Sequence, residues 1–313
     1  MNLFYAMGSS SGLMTPMDPK QRALLSLEGL AIGDALGEML CYRCEQAAEI
    51  VASDLLPAGP WFHTDDTEMA IAIVATLLKH EKIEQDDLAV QFAERFRVDP
   101  DRGYGSMTRR QLHGFLIGKS WRETSVAAFG GQGSMGNGGA MRVAPLGAYF
   151  ASDLPRVIAE ATASCLVTHA HPEAVSGTIA IAVAAALAFE TRGGKTEEPS
   201  AFLQQVASHT PHGEVRQGIT IASEIPQDEP VKDVAKQLGS GFLVTAQDTV
   251  PFSLWCAAHH LHDYPTAIIT AIQGNGDCDT NAAIVGGIVA LSAGLESIPA
   301  YWRTCRERLP FSV

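Results

Sequence analysis

Little in this 313-residue chain marks a secreted, membrane-spanning or nucleic-acid-coating protein. Cysteine is sparse: Cys41, Cys44, Cys165, Cys256, Cys278 and Cys305 are scattered and form no dense disulfide framework. They read as buried or incidental thiols in a reducing compartment, so a cytoplasmic protein is expected. Cys41-x-x-Cys44 is too little for zinc, since no second close Cys or His pair completes a tetrahedral set, and it lacks the βαβ setting of a thioredoxin-like pair. Basic residues are in deficit. With 22 Lys and Arg against 35 Asp and Glu the net charge is −13, and no basic stripe is present. That speaks against a surface tracking nucleic-acid phosphates, while leaving room for a single nucleotide pocket. Long bulky apolar runs are missing too: the longest candidate, Ala174 to Phe189, is alanine-rich and flanked by His and Glu, so no membrane span is expected. Met1 to Met17 has no charged segment leading into an apolar core, so no secretory signal is expected. Strand-like alternation is scarce throughout.

What the chain does have is apolar bulk in a helical period. Hydrophobic residues make up 46% of it, enough to bury a sizeable core. With no clear linker, one domain is expected over 19–313, behind a flexible N-terminal segment, 1–18, that contains Gly8-Ser9-Ser10-Ser11-Gly12. A monomer is expected. The apolar spacing predicts helices over Pro19 to Leu36, Gln46 to Leu55, Glu68 to His80, Asp86 to Phe96, Met107 to Leu116, Pro155 to Leu166, Pro172 to Phe189 and Glu197 to Ser208. Further helices are predicted within Pro211 to Gln237, and over Pro251 to Leu261, Pro265 to Ile272 and Asn281 to Leu291. The expected fold is all-α: a single compact domain of many short, obliquely packed helices rather than a regular bundle.

Two of these helices open on acidic knots. Thr64-Asp65-Asp66-Thr67 precedes the run whose stripe includes Ala70, Ile73, Val74, Leu77 and Leu78, and Asp277-Cys278-Asp279-Thr280 precedes the run from Asn281 to Leu291. Thr and Asp are good helix caps, and negative charge suits a helix N-terminus, so capping alone is one reading of each knot. Two knots, each with two carboxylates and a threonine hydroxyl, also make the hard oxygen set that Mg²⁺ or Mn²⁺ requires, provided the two helix starts face each other. Six such donors suit a pair of bridged metals better than one.

Other segments are weaker signals. The run Gly130 to Gly139 has six glycines whose missing Cβ atoms would let backbone amides approach a ligand's phosphates, though it is neither a P-loop nor a dinucleotide fingerprint. Asp99-Pro100-Asp101-Arg102-Gly103-Tyr104-Gly105 is rich in turn signals. Thr168-His169-Ala170-His171 sets two histidines in a loop beside a small-residue helix. Asp34, within Gly33-Asp34-Ala35-Leu36-Gly37, reads as a helix-packing hydrogen-bond acceptor in preference to a support for metal ligands.

Taken in order, Gly33-Asp34-Ala35-Leu36-Gly37, Thr64-Asp65-Asp66-Thr67, Gly136-Asn137-Gly138-Gly139-Ala140-Met141-Arg142, Thr168-His169 and Asp277-Cys278-Asp279-Thr280 resemble the ADP-ribosylglycohydrolase family over nearly the whole chain. The segments Asp99 to Gly105 and Gly133 to Gly139 look most like its ADP-ribosylserine hydrolase branch. The resemblance implies an all-helical fold with two Mg²⁺ or Mn²⁺ ions held by Thr64, Asp65, Asp66, Asp277, Asp279 and Thr280. It implies that Gly103, Gly105, Phe129, Ser134, Met135, Gly136, Asn137 and His169 line a pocket for ADP-ribose, and that the partner is an ADP-ribosylated protein. The sequence departs from the family at one point: where many members carry a flap glutamate it has Cys41, and the nearest acid is Glu38. Glu38 therefore joins Asp65, Asp66 and Asp279 among the candidate catalytic groups. The implied activity is metal-dependent hydrolysis of the bond between C1 of ADP-ribose and a side chain, serine favoured over arginine, or a small conjugate such as O-acetyl-ADP-ribose. A di-metal phosphohydrolase and a non-catalytic ADP-ribose-binding or structural protein are the alternatives.

Overall fold

A computed structural model of the protein describes residues 17–193 and 198–311. The glycine-serine stretch Gly8 to Gly12 and Glu197 lie outside the described residues. The chain folds as α1 (Pro19–Leu40), α2 (Ala47–Ala52), α3 (Asp65–His80), α4 (Gln85–Val98), α5 (Ser106–Leu116), α6 (Trp121–Gly131), α7 (Ala144–Tyr149) and α8 (Leu154–Leu166). There follow α9 (Pro172–Glu190), α10 (Pro199–His209), α11 (Glu214–Ala222), α12 (Val231–Leu238), α13 (Ala246–His259), α14 (Tyr264–Gln273), α15 (Cys278–Ala293) and α16 (Ala300–Cys305). Among the described residues there is no β-strand, only isolated bridges between Trp61 and Arg306 and between Gly136 and Thr245. The fold is all-α, as expected.

The centre of the molecule is the antiparallel pair α1 and α15. Gly29 lies against Gly286 and Ala290, Gly33 against Ala282, and Gly37 against the backbone of Cys278 and Asp279, so a Cβ at any of the three would enter the partner helix's backbone or its alanine. One glycine per turn on one face lets the two backbones touch. The same seam brings the start of α15 to the C-terminal part of α1, beside the start of α3.

The helix α9 is alanine-rich and buried nearly all round, as a helix apolar on every face must be. Its length and composition would suffice to cross a membrane, yet most of it is covered by α7, α8, α10, α13 and α15. All six cysteines are free thiols.

Several boundaries differ from expectation. α1 runs a turn beyond Leu36, because Gly37 serves close packing and Met39 and Leu40 continue the apolar face; Glu38 therefore sits on a helix. The stretch predicted as one helix over Gln46 to Leu55 is a 3₁₀ turn, Cys41–Gln46, followed by the short α2. Between Pro211 and Gln237 the chain forms α11 and α12, interrupted around Pro226 and Pro230, which offer no amide for a helical ladder. Pro251, predicted to start a helix, lies inside α13, and α6, α7 and α16 had not been predicted.

Candidate active site

Two helix starts build the acidic centre. Thr64 caps α3: its Oγ1 accepts from the Asp66 amide at 3.3 Å and donates to Asp66 Oδ2 at 3.2 Å. The Asp65 amide donates to the Arg102 carbonyl at 2.7 Å, tying the turn-rich loop to the knot. Asp34, fully buried on α1, accepts from the amides of Thr64 and Thr67, each at 3.0 Å, and from the Thr67 hydroxyl at 2.5 Å. It is thus an acceptor between packed helices, and what it holds is the first knot itself.

At the other start, Asp277 is the N-cap of α15. Asn137 Nδ2 donates to Asp277 Oδ2 at 2.6 Å and to Thr249 Oγ1 at 3.1 Å, and the Asp277 amide donates to the Ser240 carbonyl at 3.0 Å. The glycine-rich loop, the Gly239–Thr245 loop and the second knot are therefore pinned to one another. Asn137 N donates to Val244 O, and Ala246 N to Met135 O, closing the same junction.

These elements meet around a cleft of about 710 Å³ lined by Asp65, Asp66, Asp277, Asp279 and Thr280. Gly103, Gly105, Phe129, Ser134, Met135, Gly136, Asn137 and His169 line it as well, so the predicted binding residues share a wall with both knots. Gly103 has φ +92 and passes so close that a Cβ would lie 3.3 Å from Asp65 Oδ1. The His169 ring packs against the glycine loop, where a Cβ on Gly138 would come within 2.7 Å of its Cε1. Thr64 and Glu38 line an adjoining cleft of about 430 Å³, together with Phe62, Asp99, Asp101 and Arg102; Gly103 and Asp279 belong to both.

The electrostatics follow from this crowding. Burial first, and then the charge of Asp279, push Asp65 and Asp66 well above the usual carboxylate range. The same causes raise Asp34 to about 6 and Asp277 to about 7, and lift Glu38. Asp66 Oδ1 is buried without a hydrogen-bond partner. A floor of converging carboxylates with an orphaned oxygen matches the hard, anionic donor set of divalent cations, although among the described residues no three acidic, His or Cys side chains already form a closed cage. Behind this floor, His63, Glu68, Arg95, Arg102 and Glu307 form an ion-paired network, with His63 Nε2 2.9 Å from Glu68 and Arg95 Nε 2.5 Å from it.

Part of the wall was missed by sequence reasoning. Leu243, Val244 and Thr245 line the larger cleft, with Leu243 exposed and Val244 held at φ +55. The signal was present as Gly239-Ser240-Gly241, a turn preceding an apolar triplet. Phe129, at φ +51, likewise presents an exposed ring. Left-handed backbone at non-glycine residues concentrates at ligand sites.

Comparison with known proteins gives the family and the fold. The profile of the ADP-ribosylglycohydrolase family matches residues 15–310. A mouse protein, ADP-ribosylhydrolase ARH3, is 31% identical over 278 residues, covering 79% of this chain and 73% of its own. ADP-ribosylarginine hydrolase Tri1 of Pseudomonas putida is 30% identical over 301 residues, covering 92% of this chain and 75% of its own. A solved structure described as an ADP-ribosylglycohydrolase-related protein complex shares the fold, with a TM-score of 0.63 over 93% of both chains at 23% identity.

Proposed function

The chain belongs to the ADP-ribosylglycohydrolase family and is a glycosyl-bond hydrolase, and we propose that it removes ADP-ribose from modified protein side chains, serine before arginine, or from small ADP-ribose esters, with two divalent cations. The observation that carries this reading is the shared cleft: both acidic knots form its floor, the glycine loop its wall, and Phe129 and Leu243 its apolar mouth. A polar end and an apolar end in one cavity suit a nucleotide sugar. The preference for serine rests on the likeness of Asp99 to Gly105 and Gly133 to Gly139 to the serine branch; the Pseudomonas relative's name speaks for arginine.

Thr64, Asp65, Asp66, Asp277, Asp279 and Thr280 would hold the cations, which when bound supply Lewis-acid charge for ribose hydroxyls and a water of lowered pKa. The protein's own part is orientation. Asn137 fixes the Asp277 carboxylate, and Asp34 fixes the first turn of α3. The Ser134 to Asn137 backbone and His169 face the length of cleft that would take the diphosphate. The departing side chain would leave through the smaller cleft, where Asp99 and Asp101 face Arg102 and Arg109, and Glu38, outside both knots, is the proposed base.

The test is a turnover panel of serine- and arginine-linked ADP-ribose conjugates and O-acetyl-ADP-ribose with Mg²⁺, Mn²⁺ or chelator. Release of free ADP-ribose, lost with chelator, is the expected result. Release of AMP or phosphate would make the protein a phosphohydrolase. Calorimetric binding of ADP-ribose without turnover of any conjugate would make it a binding protein.

A further inference from the structure

Arg142 is the most deeply placed cation near the cleft. It is 0% exposed, and among the described residues it has no ion-pair partner. Its guanidinium lies 4.4 Å over the Phe92 ring, NH1 meets the weak acceptor Met69 Sδ at 3.3 Å, and NH2 donates to Thr168 Oγ1 at 2.8 Å. Burial draws its pKa down to about 10, which still leaves it charged at neutral pH. The Thr168 hydroxyl is the one oxygen acceptor this buried charge meets among the described residues.

That hydroxyl has one further partner, His169 Nδ1, at 2.7 Å. Arginine can only donate, so the Arg142 bond occupies a lone pair of Thr168 Oγ1. Thr168 is fully buried, and its hydroxyl proton has one acceptor within reach, the Nδ1 lone pair. A proton on Nδ1 would instead orphan the hydroxyl proton away from water. The backbone around the ring is pinned as well, by His169 N to Cys165 O at 2.8 Å and by Gln111 Nε2 to Thr168 O at 2.9 Å. Burial first, and then Arg142, hold the imidazole pKa down to about 3, so the ring is neutral and carries a single N–H.

We propose that Arg142 and Thr168 are positioning residues that lock His169 as its Nε2–H tautomer, so that the ring offers a donor, rather than a lone pair, to an anionic phosphate oxygen lying on the Ser134–Gly138 loop. The ring edge is in the right place: Nε2 lies 3.0 Å from the Cβ position of Gly138 and 3.2 Å from that of Gly136, on the wall of the larger cleft. A lone pair there would repel an anion. The identity of the anion as the diphosphate of ADP-ribose rests on the function proposed above; the tautomer does not.

Long-range ¹H–¹⁵N NMR of the imidazole nitrogens reads the tautomer directly, with His169→Gln identifying the signals. Wild type is expected to show a protonated Nε2 and an unprotonated, hydrogen-bonded Nδ1. Thr168→Val, which keeps the volume and removes the hydroxyl, is expected to give a mixture of tautomers and to weaken ADP-ribose binding by about tenfold or more, the scale of a hydrogen bond to a charged group. Thr168→Ser restores both. Arg142→Met is the harsher variant, and the wild-type spectrum decides the matter even if that variant does not fold. A protonated Nδ1 in the wild type, or an unchanged pattern in Thr168→Val, overturns the lock. Failure of the wild type to bind ADP-ribose would overturn the phosphate assignment together with the proposed function, and would leave the NMR result standing.

Discussion

Thr67 donates its hydroxyl to Asp34 Oδ2 at 2.5 Å, joining the first turn of α3 to the middle of α1. The carboxylate accepts two amides besides, so one buried side chain satisfies three donors at the helix start that carries Asp65 and Asp66. Position of the first knot is thereby set by a residue of another helix.

Asp34→Asn should be costly despite its similar size. The amide turns an NH₂ toward donors, so at least one buried group loses its partner, a penalty of about 1–3 kcal/mol. Denaturant unfolding is the check, and the loss should appear in the midpoint with the slope unchanged.

Asp65→Ala and Asp279→Ala are expected to lose divalent-cation binding and turnover together while retaining helical content. Changes to groups that merely support metal ligands already cost roughly 10–100-fold, so removing a ligand should cost at least that. Calorimetry with Mn²⁺ and ADP-ribose release are the paired measurements; full turnover by either variant would remove the di-metal reading.

Glu38→Gln tests the base. Its carboxyl lines the smaller cleft with Asp279, and partial desolvation followed by the charge of Asp279 raises its pKa above the ordinary carboxylate range. The expected effect is a fall in kcat of roughly 100-fold or more with KM little changed. An unchanged kcat would falsify the assignment.

Metal-free protein should lose stability as the solution is taken from mildly acidic to neutral. Asp34 at about 6 and Asp277 at about 7 stand above the unfolded value of about 4, and Asp65 and Asp66 are likewise raised well above it. Their folded forms bind extra protons, so the stability they contribute is present below about pH 4 and lost as pH rises through the folded values. Glu68 works in the opposite sense: burial would raise it, but hydrogen bonds from His63 and Arg95 prevail and hold it at about 2, so its contribution disappears as pH falls from about 4.5 toward 2. Thermal melts with chelator should therefore be highest near pH 4, where the two contributions overlap, and decline to pH 7.5, and added Mg²⁺ or Mn²⁺ should stabilise more as pH rises. A melting temperature that climbs steadily to pH 7.5 in chelator would contradict the crowding of these carboxylates.

Much of the helical fold was legible because α3, α9 and α15 carry local signals: a Thr or Asp start, a Pro near the first turn of α9, and sustained apolar runs. The failures have equally local causes. The helix predicted to end at Leu36 runs on to Leu40 with Gly37 packed against α15, and α7 and α16 have only six residues each, too few to show a period. In the site, the chemistry of the donors was readable, while Leu243, Val244 and Thr245 were not, because they reach the cleft only through long-range backbone bonds from Asn137 and Ala246.

By itself the sequence determined that two helices would start on hard oxygen donors and that a glycine-rich loop could approach a ligand, since both are properties of neighbouring residues. Only the tertiary structure decided that the two starts face one cleft. That outcome depends on α1 and α15 touching backbone to backbone through Gly29, Gly33 and Gly37, a pairing of distant segments whose energy no short stretch of chain contains.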